Sequence, residues 1–416
     1  MSRPRARRGT PVRSRTDVAA HVQQGLRLRA PGTVGAELEW FALDTARPAV
    51  RPALDRVAAL LPAGPLPAGS LLSTEPGGQV ELSSRPCAGP QAAVDALAED
   101  LARVRTALDA GGVALLGGGT DALRPPERLV QSARYACMEA FFDADGGPAG
   151  EAGRAMMCST AAVQVSVDAG LPGDGVQSAT ARWERAHALG PALVAAFACS
   201  PVLAGRATGW RSTRQLLWAR LDPTRTRPPR PGLDPVEAVA EQAWDARLLV
   251  LRGEDGEVHP APPLTFGAWA TAAPPGEGPT ADDLAYHLTT LFPPVRARGW
   301  FEVRYLDALP DPLWQVAVGV VAALLDDDAA ADAARDACAP VEGRWADAAR
   351  VAVGDPDLAR AAQGCLAAAA SALPRLGAPA LARAVEDFAE RFTSRGRCPA
   401  DDLLVPAQGH GQAVPA

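Results

Sequence analysis

The stretch GAELEWFALD, Gly35 to Asp44, places Glu37 and Glu39 two positions apart in an otherwise apolar run. Val34, Trp40, Phe41 and Leu43 around them favour a β-strand. Side chains alternate across a strand, so the two carboxylates share one face, roughly 7 Å apart. On a solvated face nothing follows from the pair. On a site face the pair needs a cation.

Three further segments repeat the pattern. In SLLSTEPGGQVELSSRP, Pro76-Gly77-Gly78 signals a turn, with Glu75 before it and a strand from Val80 to Ser83 after it. Gln79, Glu81 and Ser83 share one face there. In STAAVQVSVDAG, Gln164, Ser166 and Asp168 alternate with Val163, Val165 and Val167. In GWFEVRYLD, Glu302 and Arg304 oppose Phe301, Val303 and Tyr305. Each segment alone describes an ordinary strand with one core face and one wet face. Joined in one sheet, they would gather Glu37, Glu39, Glu75, Glu81 and Glu302 on a common face. Five carboxylates there repel one another unless cations lie between them. Oxygen donors without a His or Cys cluster suit Mg²⁺ or Mn²⁺, and carboxylate-held Mg²⁺ commonly accompanies substrate phosphates. The pattern points to a metal–nucleotide site on a sheet.

The composition narrows the chemistry. The 416 residues contain no Lys, Asn or Ile. A Walker-type lysine, a pyridoxal Schiff base and a lysine nucleophile are therefore excluded. Gly117-Gly118-Gly119-Thr120 reads as a tight turn after a strand over 113–116, not as a phosphate loop. A net charge of −7 argues against a nucleic-acid binder that works through a basic surface. The seven cysteines are scattered, and none forms a CxxC pair. This favours free thiols in a reducing cytoplasm. No apolar segment follows the Arg-rich start, so a signal peptide is not expected, and no apolar run is long enough to span a bilayer.

Residues 1–30 and 397–416 read as loose tails around a catalytic core over 31–310 and a helical C-terminal part over 311–396. Helical spacing is predicted over 91–110, 181–198 and 211–221. Asp326-Asp327-Asp328 reads as a solvated helix end, Trp218 and Trp300 as core aromatics, and His287 as a structural histidine. Strands and helices mix without βαβ alternation. This indicates an α+β fold with an antiparallel or mixed sheet.

Six motifs in order resemble the glutamate–cysteine ligases of the plant and proteobacterial type, and most closely their actinobacterial relatives of the ergothioneine pathway. They are GAELEW, STEPGGQVELSS, RYACM, MMCSTAAVQVSVD, WRSTRQLLWARLDPTRT and HLTTLFPPVRARGWFEVRYLD. The resemblance implies a glutamine-synthetase-like fold, whose curved antiparallel sheet forms a funnel. It also implies ATP as co-substrate, with glutamate and cysteine joined through an acyl phosphate. Glu37, Glu39, Glu75, Glu81 and Glu302 would then be metal ligands for Mg²⁺ or Mn²⁺. Glu302 and Arg304 would be catalytic. Arg134, Tyr135, Gln164, Arg214 and Trp218 would bind substrate, and Gln164, Ser166 and Arg304 the nucleotide. The chain departs from the family pattern at Ser166, where plant enzymes have Asn, at Gly299, which replaces a cation, and at Ser212-Thr213, which lack the family's Tyr. The amine acceptor is left open: a ligase of the same fold with another acceptor fits the same motifs. The resemblance implies neither a nucleic-acid nor a membrane partner, and oligomeric state is not legible.

Overall fold

The computed structural model describes residues 9–253, 256–274 and 276–404. An eight-stranded sheet organises them. Its strands are β1 (Thr33–Asp44), β2 (Leu71–Thr74), β3 (Val80–Ser83), β4 (Cys87–Ala88), β5 (Val113–Leu116), β6 (Ala162–Asp168), β7 (Val295–Ala297) and β8 (Trp300–Asp307). The order is β7-β8-β6-β1-β3-β2, with β4 and β5 pairing other parts of β1, and every pairing is antiparallel. All four segments with an acidic or polar face thus meet in one sheet.

The register sets the polar side chains in rows. Glu39 lies opposite Glu81, and Glu37 lies opposite both Gln164 and Ser83. Ser166 lies opposite Gly35 and Glu302. The alternate positions Leu38, Trp40, Leu82, Val163, Val165, Phe301 and Val303 are buried. Each such side chain contributes about 1.5–3 kcal/mol by leaving water. The helices Gly89–Asp109 and Leu313–Asp326 cover that side, against β1 and β6. Leu313–Asp326 is apolar on nearly all faces and is buried accordingly.

The ladder between β8 and β6 slips between Val303 and Leu306. Arg304 falls in this irregularity, and its N–H donates to the Pro294 carbonyl (2.9 Å) instead. Such a bulge re-aims the side chain it carries. Gly299 forms the β7–β8 turn with φ +88°, which accounts for a glycine at that position.

Three expectations are corrected. The segment before residue 31 is not loose over its described part. Arg15–Gly25 is a helix whose capping box joins Ser14 and Asp17, and Val18 and Val22 bury against the helix Pro235–Asp245. At the other end, Cys398 is buried and Pro399–Leu403 is helical, while 405–416 lie outside the described residues. The Asp326–Asp328 run is not a solvated end. Asp326 pairs with the buried Arg182 (2.7 Å), and Asp327 caps the next helix and pairs with Arg375 (2.7 Å). The segment 181–198 contains two helices, Ala179–Ala188 and Gly190–Phe197, because Pro191 cannot donate to a continuing helix. Helices over 213–220 and 89–109 lie where the spacing predicts them.

Candidate active site

A cleft of about 300 Å³ opens on the polar face of the sheet. Its floor holds Glu37 and Glu39 from β1, Glu81 from β3 and Gln164 from β6. Glu75 enters from the β2–β3 turn, which packs closely against the 147–159 helix. A Cβ on Gly77 would lie 2.1 Å from the Cys158 carbonyl oxygen, so only glycine permits this approach. Gln79 secures the turn, accepting from Gly77 N–H (2.9 Å) and donating to the Thr160 carbonyl (2.8 Å).

Arg134, Tyr135, Arg214, Trp218 and Arg304 also line the cleft. Arg134 comes from the helix Ala133–Asp145 and donates to the Thr289 hydroxyl (3.0 Å) and carbonyl (2.9 Å). Arg214 comes from the helix Thr213–Arg220 and donates through Nη2 to the Arg304 carbonyl (2.8 Å). Glu302 is buried behind this wall and does not line the cleft itself; the lining residues Arg304 (2.7 Å) and Arg296 (3.2 Å) pair with it. Ser166 lies one row further along β6, next to Glu302 in the ladder but outside the cleft wall. The cleft thus gathers the expected residues except Glu302 and Ser166, which lie next to its wall without lining it.

Two residues that the sequence reading did not assign are part of the arrangement. Arg296 lines the cleft and lies opposite Glu302 in the β7–β8 hairpin. The signal for it was the antiparallel turn at Gly299, which returns VRAR alongside FEVR. Asp307 is buried and accepts from Cys199 N–H (2.9 Å) and from the hydroxyls of Ser200 (2.6 Å) and Ser212 (2.9 Å). It thereby fixes the start of the helix that carries Arg214 and Trp218. Nothing in the sequence pairs Asp307 with Ser200 and Ser212. Trp300, expected in the core, is 42% exposed at the hairpin. His287 is buried with Nε2 at 3.0 Å from the Ala243 carbonyl, a structural role.

The electrostatics reflect the crowding. Burial, then the charges of Glu302 and Glu81, push the Glu37 carboxyl up to about 7. Burial and Glu81 push Glu39 up to about 8, although Gln164 Nε2 (2.9 Å) and Ala162 N–H (3.0 Å) donate to it. Glu75 is raised by burial and by Glu39 and Glu81. Burial acts against the ionised form of Glu302 as well, but Arg304 and Arg296 outweigh it and lower that carboxyl. Among the described residues, no three His, Cys, Asp or Glu side chains are already arranged to hold a metal ion. The donor set is nevertheless all oxygen and under-neutralised, and it fits a hard divalent cation.

Some buried polar atoms have no hydrogen-bond partner: Arg214 Nη1, Trp218 Nε1 and Gln164 Oε1. All three residues line the cleft, the first two as donors and the third as an acceptor. Unpaired buried polar groups cost about 1–3 kcal/mol each, a deficit that a ligand can relieve. A carboxylate and an ammonium of one amino acid would satisfy this set.

The chain is 43% identical over 413 residues to the glutamate–cysteine ligase EgtA of Mycolicibacterium smegmatis, covering 96% of this chain and 94% of that one. It is 42% identical over 410 residues to the glutamate–cysteine ligase EgtA of Mycobacterium tuberculosis strain H37Rv, covering 95% and 91%. The fold is that of a glutamate–cysteine ligase from Francisella tularensis solved in complex with AMP, with a TM-score of 0.55 at 14% identity over 92% of this chain and 86% of that one. No helix among the described residues is long and apolar enough to cross a membrane. Residues 33–414 match glutamate–cysteine ligase family 2, and on this match, together with the near full-length relatives, the chain belongs to that family.

Proposed function

We propose that the protein joins the γ-carboxylate of L-glutamate to the amine of L-cysteine at the expense of ATP, forming γ-glutamylcysteine in the cytoplasm for ergothioneine or another low-molecular-weight thiol. The observation that carries this reading is the meeting of unpartnered Arg214 Nη1, Trp218 Nε1 and Gln164 Oε1 with four clustered carboxylates in one cleft. The first group can take an amino acid by its carboxylate and ammonium. The second supplies oxygen donors where phosphates must be held.

Amide formation from a carboxylate is uphill in water, so the γ-carboxylate must first be activated. One of its oxygens attacks the γ-phosphorus of ATP, ADP leaves, and an acyl phosphate forms. The cysteine amine then attacks the acyl carbon, phosphate departs with that oxygen, and the amine loses a proton. Arg304, held by Glu302 at the cleft edge, faces the charge that develops on the transferred phosphoryl group. Arg214, rigid through its bond to the Arg304 carbonyl, orients glutamate. Glu37, Glu39, Glu75 and Glu81, with Glu302 beside the cleft, would hold Mg²⁺ or Mn²⁺. Such a cation, when bound, neutralises phosphate charge. No side chain need act as a nucleophile, in keeping with a chain without lysine whose seven cysteines are all unbridged.

Purified protein incubated with ATP, glutamate and a panel of amines tests this reading. ADP release should require glutamate and be greatest with cysteine, and glutamate labelled with ¹⁸O in the γ-carboxylate should transfer one label to inorganic phosphate. Preference for another amine would reassign the acceptor. Label in AMP with pyrophosphate release would replace the mechanism.

A further inference from the structure

Glu75 differs from the other four carboxylates in its support. Glu37, Glu39, Glu81 and Glu302 stand on strands, where the ladders fix them. Glu75 lies just past the end of β2, in the turn that leads to β3. Burial, then the charges of Glu39 and Glu81, act against its ionised form. Its place beside them therefore depends on how firmly the turn is held.

The hold comes from behind the cleft. Arg51 donates through Nη1 to the carbonyls of Gly77 (3.4 Å) and Glu127 (3.1 Å). Through Nη2 it donates to the Pro125 carbonyl (3.0 Å) and to Asp121 Oδ2 (3.0 Å). Asp121 also accepts from Arg124 Nε (2.9 Å), and Arg124 Nη1 donates to the Ala42 carbonyl of β1 (2.7 Å). Beside them, the N–H groups of Leu129 and Val130 donate to the Pro76 carbonyl (2.8 and 3.0 Å). The side chains of Arg51, Asp121 and Arg124 are 9%, 0% and 4% exposed, and none of the three lines the cleft. Buried ion pairs add little net stability over apolar packing. What this group supplies is direction, since the planar fork of one guanidinium meets acceptors of the turn and of the 121–130 loop at once. That loop leads into the Ala133–Asp145 helix, whose Arg134 and Tyr135 line the cleft.

We propose that Arg51, set by Asp121, is a positioning residue for the cation site: by tying the Pro76–Gly77 turn to the 121–130 loop, it fixes Glu75 against Glu39 and Glu81. This rests on the ligase reading above, in which the carboxylates hold a divalent cation. Arg51 touches neither cation nor substrate and acts only through the backbone that carries Glu75.

Mn²⁺ binding in the absence of substrates, followed by electron paramagnetic resonance well below each melting temperature, tests the role. Arg51→Met keeps the bulk of the side chain and loses its donors, and it should weaken Mn²⁺ about tenfold or more. Arg51→Lys can serve only part of the four acceptors and should fall between Arg51→Met and wild type. Arg182→Met removes a buried ion pair with Asp326 away from the cleft; it should lower the melting temperature yet leave Mn²⁺ affinity within about twofold. Unchanged Mn²⁺ affinity in both Arg51 variants, or an equal loss in Arg182→Met, would overturn the role. If Arg51→Met does not fold, unchanged affinity in Arg51→Lys alone overturns it. Wild-type protein that binds Mn²⁺, and loses it in the Arg51 variants, yet releases no ADP with glutamate and any amine would instead overturn the ligase reading and leave the positioning role in place.

Discussion

Glu39 on β1 and Glu81 on β3 lie directly opposite each other in an antiparallel ladder. Two like charges in that relation destabilise a sheet. They persist here on the floor of a cleft that also holds Glu37 and Glu75. The sheet therefore bears a local electrostatic cost that a bound cation would remove.

Glu81→Gln should expose this conflict. Its contact with the Ser83 hydroxyl (2.9 Å) can be kept by the amide oxygen, so the substitution removes charge and little else. The melting temperature without divalent cation should rise by about 1–3 °C, and turnover should fall by about 100-fold or more. A variant with full activity at saturating Mg²⁺ would remove Glu81 from the site.

The raised carboxyls give the stability a pH dependence of definite sign. Glu37 and Glu39 move from 4.5 to about 7 and about 8, so over that interval the folded protein holds protons that the unfolded chain has lost. This contribution is complete below pH 4.5 and is lost as pH rises through the two folded values. Without metal, the melting temperature should fall between pH 6 and pH 9, while added Mg²⁺ should raise it more at pH 9 than at pH 6. The half-buried His187 and the buried His287, depressed from 6.5 to about 4 and about 3, act on the acid side of that window. Differential scanning fluorimetry across the range decides it, and a flat metal-free profile would refute the coupling.

Arg214 and Arg304 should separate kinetically. Arg214 carries an unpartnered Nη1 in the cleft, and Arg214→Ala should raise the KM for glutamate about tenfold or more. Arg214→Lys should recover little, since one ammonium cannot both keep the bond to the Arg304 carbonyl and pair bidentately with a carboxylate. Arg304→Ala should act chiefly on kcat, because the charge it meets arises during transfer. Steady-state kinetics with the pattern reversed would exchange the two roles.

Asp307 should matter without touching substrate. Asp307→Ala leaves three buried donors unpaired, costing about 3 kcal/mol or more, and should raise the KM for glutamate through the displaced start of the Thr213–Arg220 helix. Asp307→Asn keeps an acceptor and should recover part of both. Denaturant midpoints and KM values for the two variants measure this, and a stability loss with unchanged KM would confine Asp307 to the fold.

What the sequence determined by itself was local: strand alternation placed Glu37 with Glu39 and Glu302 with Arg304 on shared faces, because a strand repeats every two residues. The absence of lysine excluded whole classes of chemistry for the same local reason, since side-chain identity needs no fold. The PGG turn before Val80 and the helix over 213–220 were also legible, from residues that impose their own geometry. Only tertiary structure decided which strands became neighbours, and hence that Glu39 meets Glu81 and Gln164 meets Glu37. It also brought Asp307 to Ser200 and Ser212, buried Asp326 against Arg182, and packed the Arg15–Gly25 helix beside Arg296. These contacts join residues far apart in the chain. Their energy comes from burial and complementary charge in the assembled fold, which no local pattern records.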